Sequence, residues 1–311
     1  MRETLEVACW RIGDVTVERI EEFSSPGYPP SLQFPDYDPA IFEQFPELRE
    51  MDRLDPETGR TFASIHSWLL RAGGEIILVD TATGNDKPRT DPKFERFHML
   101  DSPTYLENLA RAGVRPEDVT IVVNTHMHVD HSGWNTRLED GRWVPTFPNA
   151  RYAFGRDEYA NWQPGGVTAT AQPEGVPVIE DSITPVVEAG RVEWVGDGDE
   201  LLSGITFHAA PGHTSGQLIM QVESKGDAAI FTADCMHRAM QIYRPTLNCF
   251  LCEDNDLAPL TRAQVLERCA TREALIFPAH FGAPHAGRVK RRDASGGDPG
   301  GYRFEPVEPT E

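Results

Sequence analysis

The chain has 311 residues, 39% of them hydrophobic, and its 49 acidic and 29 basic residues give a formal net charge of −20. This composition is normal for a globular protein with a buried core, and the length suffices for one large domain or two ordinary ones. The negative charge argues against a nucleic acid as partner, because binding a polyanion requires a basic face. Bound divalent cations are compatible with such an excess of carboxylates.

The N-terminal stretch, MRETLEVACWRIGDVTVERIEEF, lacks the apolar segment of a signal peptide. No apolar run in the chain reaches the roughly 18 residues of a membrane span. The five cysteines are scattered along the chain, as Cys9, Cys235, Cys249, Cys252 and Cys269. These features predict reduced thiols in a cytoplasmic protein. Cys249 and Cys252 form a C-x-x-C, but no second pair accompanies them, so a metal or redox role is disfavoured.

Residues 24–50 contain six prolines and several aromatic side chains. This composition predicts an extended arm without regular structure. The arm is expected either to cover the active site as a lid or to wrap the surface or a neighbouring subunit, which would make the protein a homodimer. At the other end, the segment RVKRR (288–292) is short and is expected to be a solvated patch.

Short apolar runs predict the buried strands of the chain, and helical patterns lie between them. The expected strands cover residues 63–70, 75–80, 119–125, 204–210, 227–234 and 273–280, and the expected helices cover 104–114 and 257–272. Strands alternating with helices indicate an α/β protein with layers of sheet and helix.

The motif H-x-H-x-D-H, which comprises His126, His128, Asp130 and His131, directly follows one of these strands. In extended backbone the first two imidazoles point to the same side. One metal could not easily use all four groups of so short a loop, whereas two metals could. Imidazole and carboxylate ligands suit zinc, manganese, cobalt or iron.

Three further candidate ligands follow the ends of other buried strands. These are His213 after 204–210, Asp234 at the end of 227–234, and His280 at the end of 273–280. Residues just beyond strand ends are held by a rigid scaffold, so one sheet edge carrying all of them would form an active site.

Five motifs together resemble the metallo-β-lactamase superfamily. They are LVDTATG (78–84), THMHVDH (125–131), PGHTSGQ (211–217), FTAD (231–234) and FPAH (277–280). The resemblance implies an αββα sandwich in a single domain over 1–311, with an N-terminal strand and arm (1–62), a core (63–281) and a tail (282–311). Within the superfamily, the chain resembles the branch of N-acyl-homoserine lactonases and methyl parathion hydrolase-like enzymes.

The resemblance also implies the ligands of two divalent metals, with zinc expected first. The first metal would be bound by His126, His128 and His213, the second by Asp130, His131 and His280, and Asp234 would bridge them. Asp80 would organise the metal-binding loops without binding metal.

The implied function is the hydrolysis of a lactone or ester-like bond in a small molecule by a hydroxide that bridges two metals. Asp130 would steer this hydroxide, and the leaving alkoxide would be stabilised by the second metal or protonated by His237. His237 departs from the pattern, because lactonases of the homoserine type carry a tyrosine three residues after the bridging aspartate. This departure places acyl-homoserine lactone specificity in question.

Other functions on the same scaffold are hydrolysis of a phosphotriester and a mononuclear iron oxidoreductase of the persulfide dioxygenase type. A non-catalytic metal-binding module fits less well, because every ligand position is filled. No G-x-S-x-G motif indicates a serine hydrolase. The remaining histidines, His66, His98, His208 and His285, are expected to be structural or surface residues.

Overall fold

The computed structural model describes residues 9–294 and 301–310. These residues divide into two compact units, the first formed by 9–23, 65–195 and 309–310 and the second by 24–64, 196–294 and 301–308. The single domain predicted over 1–311 stays a prediction.

The described residues contain strands and mostly short α-helices. The strands are β1 (Trp10–Ile12), β2 (Val15–Pro26), β3 (Phe62–Ala72), β4 (Glu75–Val79), β5 (Ile121–Asn124), β6 (Thr136–Glu139), β7 (Arg142–Pro145), β8 (Arg151–Gly155), β9 (Val192–Val195), β10 (Glu200–Leu202), β11 (Ile205–Ala209), β12 (Leu218–Ser224), β13 (Asp227–Ala233), β14 (Leu275–Pro278), β15 (Gly287–Arg292) and β16 (Gly301–Pro306). The α-helices are α1 (Pro30–Gln33), α2 (Ile41–Gln44), α3 (Leu48–Met51), α4 (Thr104–Arg111), α5 (Arg156–Asn161), α6 (Val167–Ala171), α7 (Val176–Val178), α8 (Thr184–Glu188), α9 (Met240–Tyr243) and α10 (Leu257–Arg272). None of these helices is long and apolar enough to cross a membrane.

The first unit is built on a seven-stranded sheet with the order β1-β2-β3-β4-β5-β8-β9. The strands from β4 to β9 in this order run parallel, whereas β3 is antiparallel to β4. All four residues of β5 are buried, which explains its uninterrupted apolar sequence. The carboxyl ends of β4, β5 and β8 therefore reach one edge of this sheet.

The second unit is built on a seven-stranded sheet in which β10 to β16 follow one another in chain order. Among the described strands of this sheet, only β13 and β14 are parallel, and their connection contains the long helix α10. Parallel neighbours need such a crossover, whereas antiparallel neighbours need only a turn. The carboxyl ends of β13 and β14 thus lie side by side.

Every predicted strand and both predicted helices are present, with shifts of a few residues at their ends. The interpretation of RVKRR as a solvated patch was wrong only for its inward face, because these residues belong to β15, which pairs with β14 and β16. Its Val289 is fully buried, whereas Arg291 is exposed, so the segment is a strand with a charged outer face.

The prediction of an arm without regular structure was also wrong, because residues 24–50 contain α1, α2 and most of α3. Pro30 occupies the first turn of α1, where proline is tolerated because no donor is needed there. Phe34, Phe42 and Phe45 are buried in the apolar core of the second unit. The arm is therefore part of the fold of that unit.

Candidate metal centre

Asp80 lies at the end of β4 and holds the loop that follows β5. Its carboxylate accepts hydrogen bonds from the backbone N–H of Thr125 (2.8 Å), the Thr125 hydroxyl (2.9 Å) and Nδ1 of His131 (2.9 Å). The parallel pairing of Val79 with Val123 brings these two strand ends together. Asp80 therefore has the organising position that the resemblance implied.

Four predicted ligands in the first unit follow β5 within eight positions of its end. Nε2 of His126 lies 3.1 Å from Nδ1 of His128, and the rings of His126 and His131 are 4.0 Å apart. Nε2 of His131 lies 3.7 Å from a carboxylate oxygen of Asp130. His126 and His131 are buried, whereas His128 and Asp130 are partly exposed. The loop thus gathers three imidazoles and a carboxylate.

Three predicted ligands in the second unit converge on the carboxylate of Asp234. One oxygen of Asp234 lies 3.3 Å from Nε2 of His213, and the other lies 3.2 Å from Nε2 of His280. Nε2 of His237 is also 3.2 Å from the carboxylate, so three imidazoles surround it. All four side chains are buried.

A tight turn before His213 allows this arrangement. Gly212 has a φ of +130°, and a Cβ there would lie 2.6 Å from the Cα of Ala258. Only glycine fits this close approach of α10 to the loop. Close packing against α10 therefore explains why glycine occupies position 212 of the PGHTSGQ motif.

Each of the five predicted histidine ligands has a partner on the nitrogen that faces away from its neighbouring candidate ligands. These pairs are His126 Nδ1 with Thr125 Oγ1 (3.1 Å), His128 Nε2 with Gln172 Oε1 (2.6 Å), His131 Nδ1 with Asp80 (2.9 Å), His213 Nδ1 with Cys252 Sγ (3.7 Å) and His280 Nδ1 with the Ser64 carbonyl (3.1 Å). Metal-binding histidines in proteins are held in this way, which fixes the ring and its tautomer. The donor sets of both units therefore fit divalent metals of the zinc type.

His237, the predicted proton donor, is a buried imidazole. Burial lowers the pKa of His237, and the carboxylate of Asp234 opposes this effect. Its backbone N–H donates to Gln241 Oε1 (2.7 Å), and its carbonyl accepts from the guanidinium of Arg238 (3.0 Å). The same guanidinium donates to the carbonyl of His280 (2.8 Å). Arg238 thus fixes two site residues through their backbone.

Several residues that form hydrogen bonds to the candidate site residues or to their neighbours were not predicted from the sequence. Glu158 accepts from the backbone N–H of Met127 (3.0 Å), between two predicted ligands, and Gln172 contacts His128. Asp52 accepts from the N–H groups of Ala239 and Met240. Each pair is separated by more than 30 positions in the chain, so no local pattern marks it.

Other sequence predictions concern residues outside the ligand set. Trp134, a candidate for the pocket wall or the core, is buried and stacks on Tyr105. His98 accepts from the backbone N–H of Arg89, in agreement with a structural role. The five cysteines are free thiols, and Cys249 and Cys252 are buried without a disulfide.

The model of the metallo-beta-lactamase superfamily matches residues 60–280. Because this match covers most of the chain, the chain belongs to that superfamily, and its predicted fold class is confirmed. Its site accordingly belongs to a superfamily of metal-binding hydrolases.

Similar proteins include lactonases and other hydrolases. An N-acyl homoserine lactonase of Bacillus cereus is 23% identical over 180 residues, which cover 55% of this chain and 63% of that relative. Among solved structures, the hydrolase AbOPH of the beta lactamase superfamily has a TM-score of 0.78 at 24% identity, with 98% of both chains covered. AidC, a dizinc quorum-quenching lactonase in complex with its product N-hexanoyl-L-homoserine, has a TM-score of 0.75 at 19% identity, with 97% of this chain and 98% of that chain covered. At these identities the structures establish the fold.

Proposed function

We propose that the chain is a dinuclear metal-dependent hydrolase that opens a lactone or cleaves an ester-like bond of a small molecule. The proposal assigns His126, His128 and His213 to the first metal, Asp130, His131 and His280 to the second, and Asp234 to both. It is carried by the five histidines, each of which has a partner on the nitrogen turned away from the other donors. The lactonases among its relatives favour the substrate class.

When bound, two divalent metal ions activate a water molecule and polarise the substrate oxygen. Zinc is the first expectation, with manganese, cobalt and iron as alternatives, because imidazole and carboxylate ligands suit all four. The Asp130 side chain, which is 19% exposed, orients the attacking water. His237 gives a proton to the leaving alkoxide. The cytoplasmic location and the homodimer stay predictions.

The test is proton release, followed with a pH indicator, from purified metal-loaded protein and from chelator-treated protein. The substrates are γ- and δ-lactones, aryl esters, a β-lactam and a phosphotriester. Turnover that disappears with the chelator and returns with metal supports the hydrolase, and a phosphotriester as best substrate favours that alternative. Oxygen consumption with a persulfide, with one iron bound and no hydrolysis, would contradict the proposal.

Replacing His237 with alanine is expected to lower kcat for a lactone by about 100-fold or more, because a positioned proton donor contributes roughly 10²–10⁴-fold. Metal content is expected to stay at the wild-type level. His237→Tyr replaces the imidazole donor with a hydroxyl donor and is expected to keep part of the rate that His237→Ala loses.

Steady-state kinetics and metal analysis measure both quantities, with His208→Ala on β11 of the same unit as control. Wild-type kcat in the fully metal-loaded His237→Ala protein would remove His237 from the catalytic machinery.

A further inference from the structure

Residues 156–175 enclose His128 of the H-x-H-x-D-H motif. The ring of Trp162 lies 6.0 Å from the His128 ring in an edge-on orientation, and Oε1 of Gln172 lies 2.6 Å from Nε2 of His128. His128 is partly exposed, and residues 156–175 cover it on the side that faces Trp162 and Gln172.

The enclosing segment is itself held in place. The carboxylate of Glu158 accepts from Nε1 of Trp162 (2.8 Å) and from the backbone N–H of Met127 (3.0 Å). Gly175 packs against the Trp162 ring so closely that a Cβ would lie 2.4 Å from Cη2. Trp162 is almost fully buried. Gln172 and His128 therefore contact each other in a well-packed part of the first unit.

The tautomer of His126 follows from its neighbour. The single hydroxyl proton of Thr125 is donated to the carboxylate of Asp80, so its oxygen accepts from Nδ1–H of His126. His126 consequently carries its proton on Nδ1, and its Nε2 presents a lone pair.

His128 then has two arrangements available, because its Nδ1 lies 3.1 Å from this lone pair. With the proton on Nδ1, His128 donates to Nε2 of His126. Neither Nε2 of His126 nor Nδ1 of His128 is then available to a metal. With the proton on Nε2, His128 donates to Oε1 of Gln172, and Nδ1 presents a lone pair beside that of His126. Only the second tautomer makes both imidazoles ligands.

We propose that Gln172 is a positioning residue that selects the metal-binding tautomer of His128. This inference rests on the proposed function, since it concerns one of the ligands assigned there. Gln172 acts through His128 and needs no contact with substrate. With its oxygen turned to Nε2, Gln172 favours the Nε2–H tautomer, and a carboxylate at this position, which can only accept, would favour it more strongly.

The test compares Gln172→Leu, Gln172→Glu and the matched control Gln163→Leu in the full-length protein. Gln163 lies in the same segment, and its amide donates to the carbonyl of Tyr159. Competition with a chromophoric chelator for Zn²⁺ measures metal affinity. Gln172→Leu is expected to lower the affinity by about 10–100-fold, the usual effect of removing a partner of a metal-binding histidine. Gln172→Glu is expected to bind at least as tightly as wild type.

Ring ¹⁵N chemical shifts of His128 in the metal-free protein give a second readout that a general loss of packing would not reproduce. The Nε2–H form should be most populated in Gln172→Glu and least in Gln172→Leu. Unchanged shifts, or wild-type Zn²⁺ affinity in Gln172→Leu, would overturn the role of Gln172. A wild-type protein that binds no metal would instead refute the proposed function, and the shifts of the metal-free protein would still decide the tautomer.

Discussion

Asp234→Ala is expected to lose metal from the site and to lower hydrolysis by more than about 100-fold. Losing a hydrogen-bond partner of a ligand already costs roughly 10–100-fold in affinity or activity, so losing the ligand itself costs more. The two oxygens of Asp234 face His213 and His280 separately, so alanine removes the carboxylate that lies between these two imidazoles. Metal content after dialysis and lactone turnover measure the effect.

Asp227→Ala is the matched control, because Asp227 begins the strand β13 after which Asp234 follows, and it is exposed. Asp234→Asn is the second variant, since it keeps the shape of the side chain and removes the charge. Both Asp234 variants should melt as cooperatively as chelator-treated wild type. Two bound metals with full turnover in a folded Asp234→Ala protein would refute the assignment of this carboxylate.

The stability of the protein is expected to rise with pH from about 7 to about 10 through Lys87, and Lys87→Met is expected to remove this contribution. Burial lowers the pKa of Lys87 to about 7, although the nearby Asp181 opposes it. Between that pKa and the ordinary value near 10.5, the unfolded chain binds the proton more tightly than the folded chain does. The free energy of unfolding therefore increases with pH by up to about 1.4 kcal/mol per unit.

The surroundings of Lys87 make methionine a suitable replacement. Its ammonium donates to Thr136 Oγ1 (2.6 Å) and lies 3.7 Å from the ring centre of Trp143. Asp181 keeps both of its hydrogen bonds from the guanidinium of Arg89 when the lysine is removed. Asp181 therefore still has Arg89 as a cationic partner in the variant.

Urea unfolding at several pH values from 6.5 to 9.5 measures the difference between wild type and Lys87→Met. The free energy of unfolding of Lys87→Met relative to that of wild type should be highest near pH 6.5 and should fall as the pH rises. Lys93→Met, at a half-exposed side chain, supplies the control. Parallel stability curves for wild type and Lys87→Met would contradict the lowered pKa.

Local sequence predicted six strands of this protein and the types of its candidate metal ligands. An apolar run such as 119–125 predicts a buried strand because burial on both faces requires apolar side chains at every position. Spacing within the H-x-H-x-D-H motif was sufficient to predict metal binding, because those residues are neighbours in the chain. Strand β12, by contrast, was not predicted, although LIMQV at 218–222 is buried and apolar except for Gln221.

Only the tertiary structure decided which residues support the ligands. Gln172 follows His128 by 44 positions, and Ser64 precedes His280 by 216 positions, so their contacts depend on how distant segments pack. The arm 24–50 forms helices because its aromatic side chains are buried in the core of the second unit. Its proline content did not predict this burial. The sequence thus predicts the types of donor, whereas the packing of distant segments orients each candidate donor, because hydrogen bonds between remote residues leave no periodic signal.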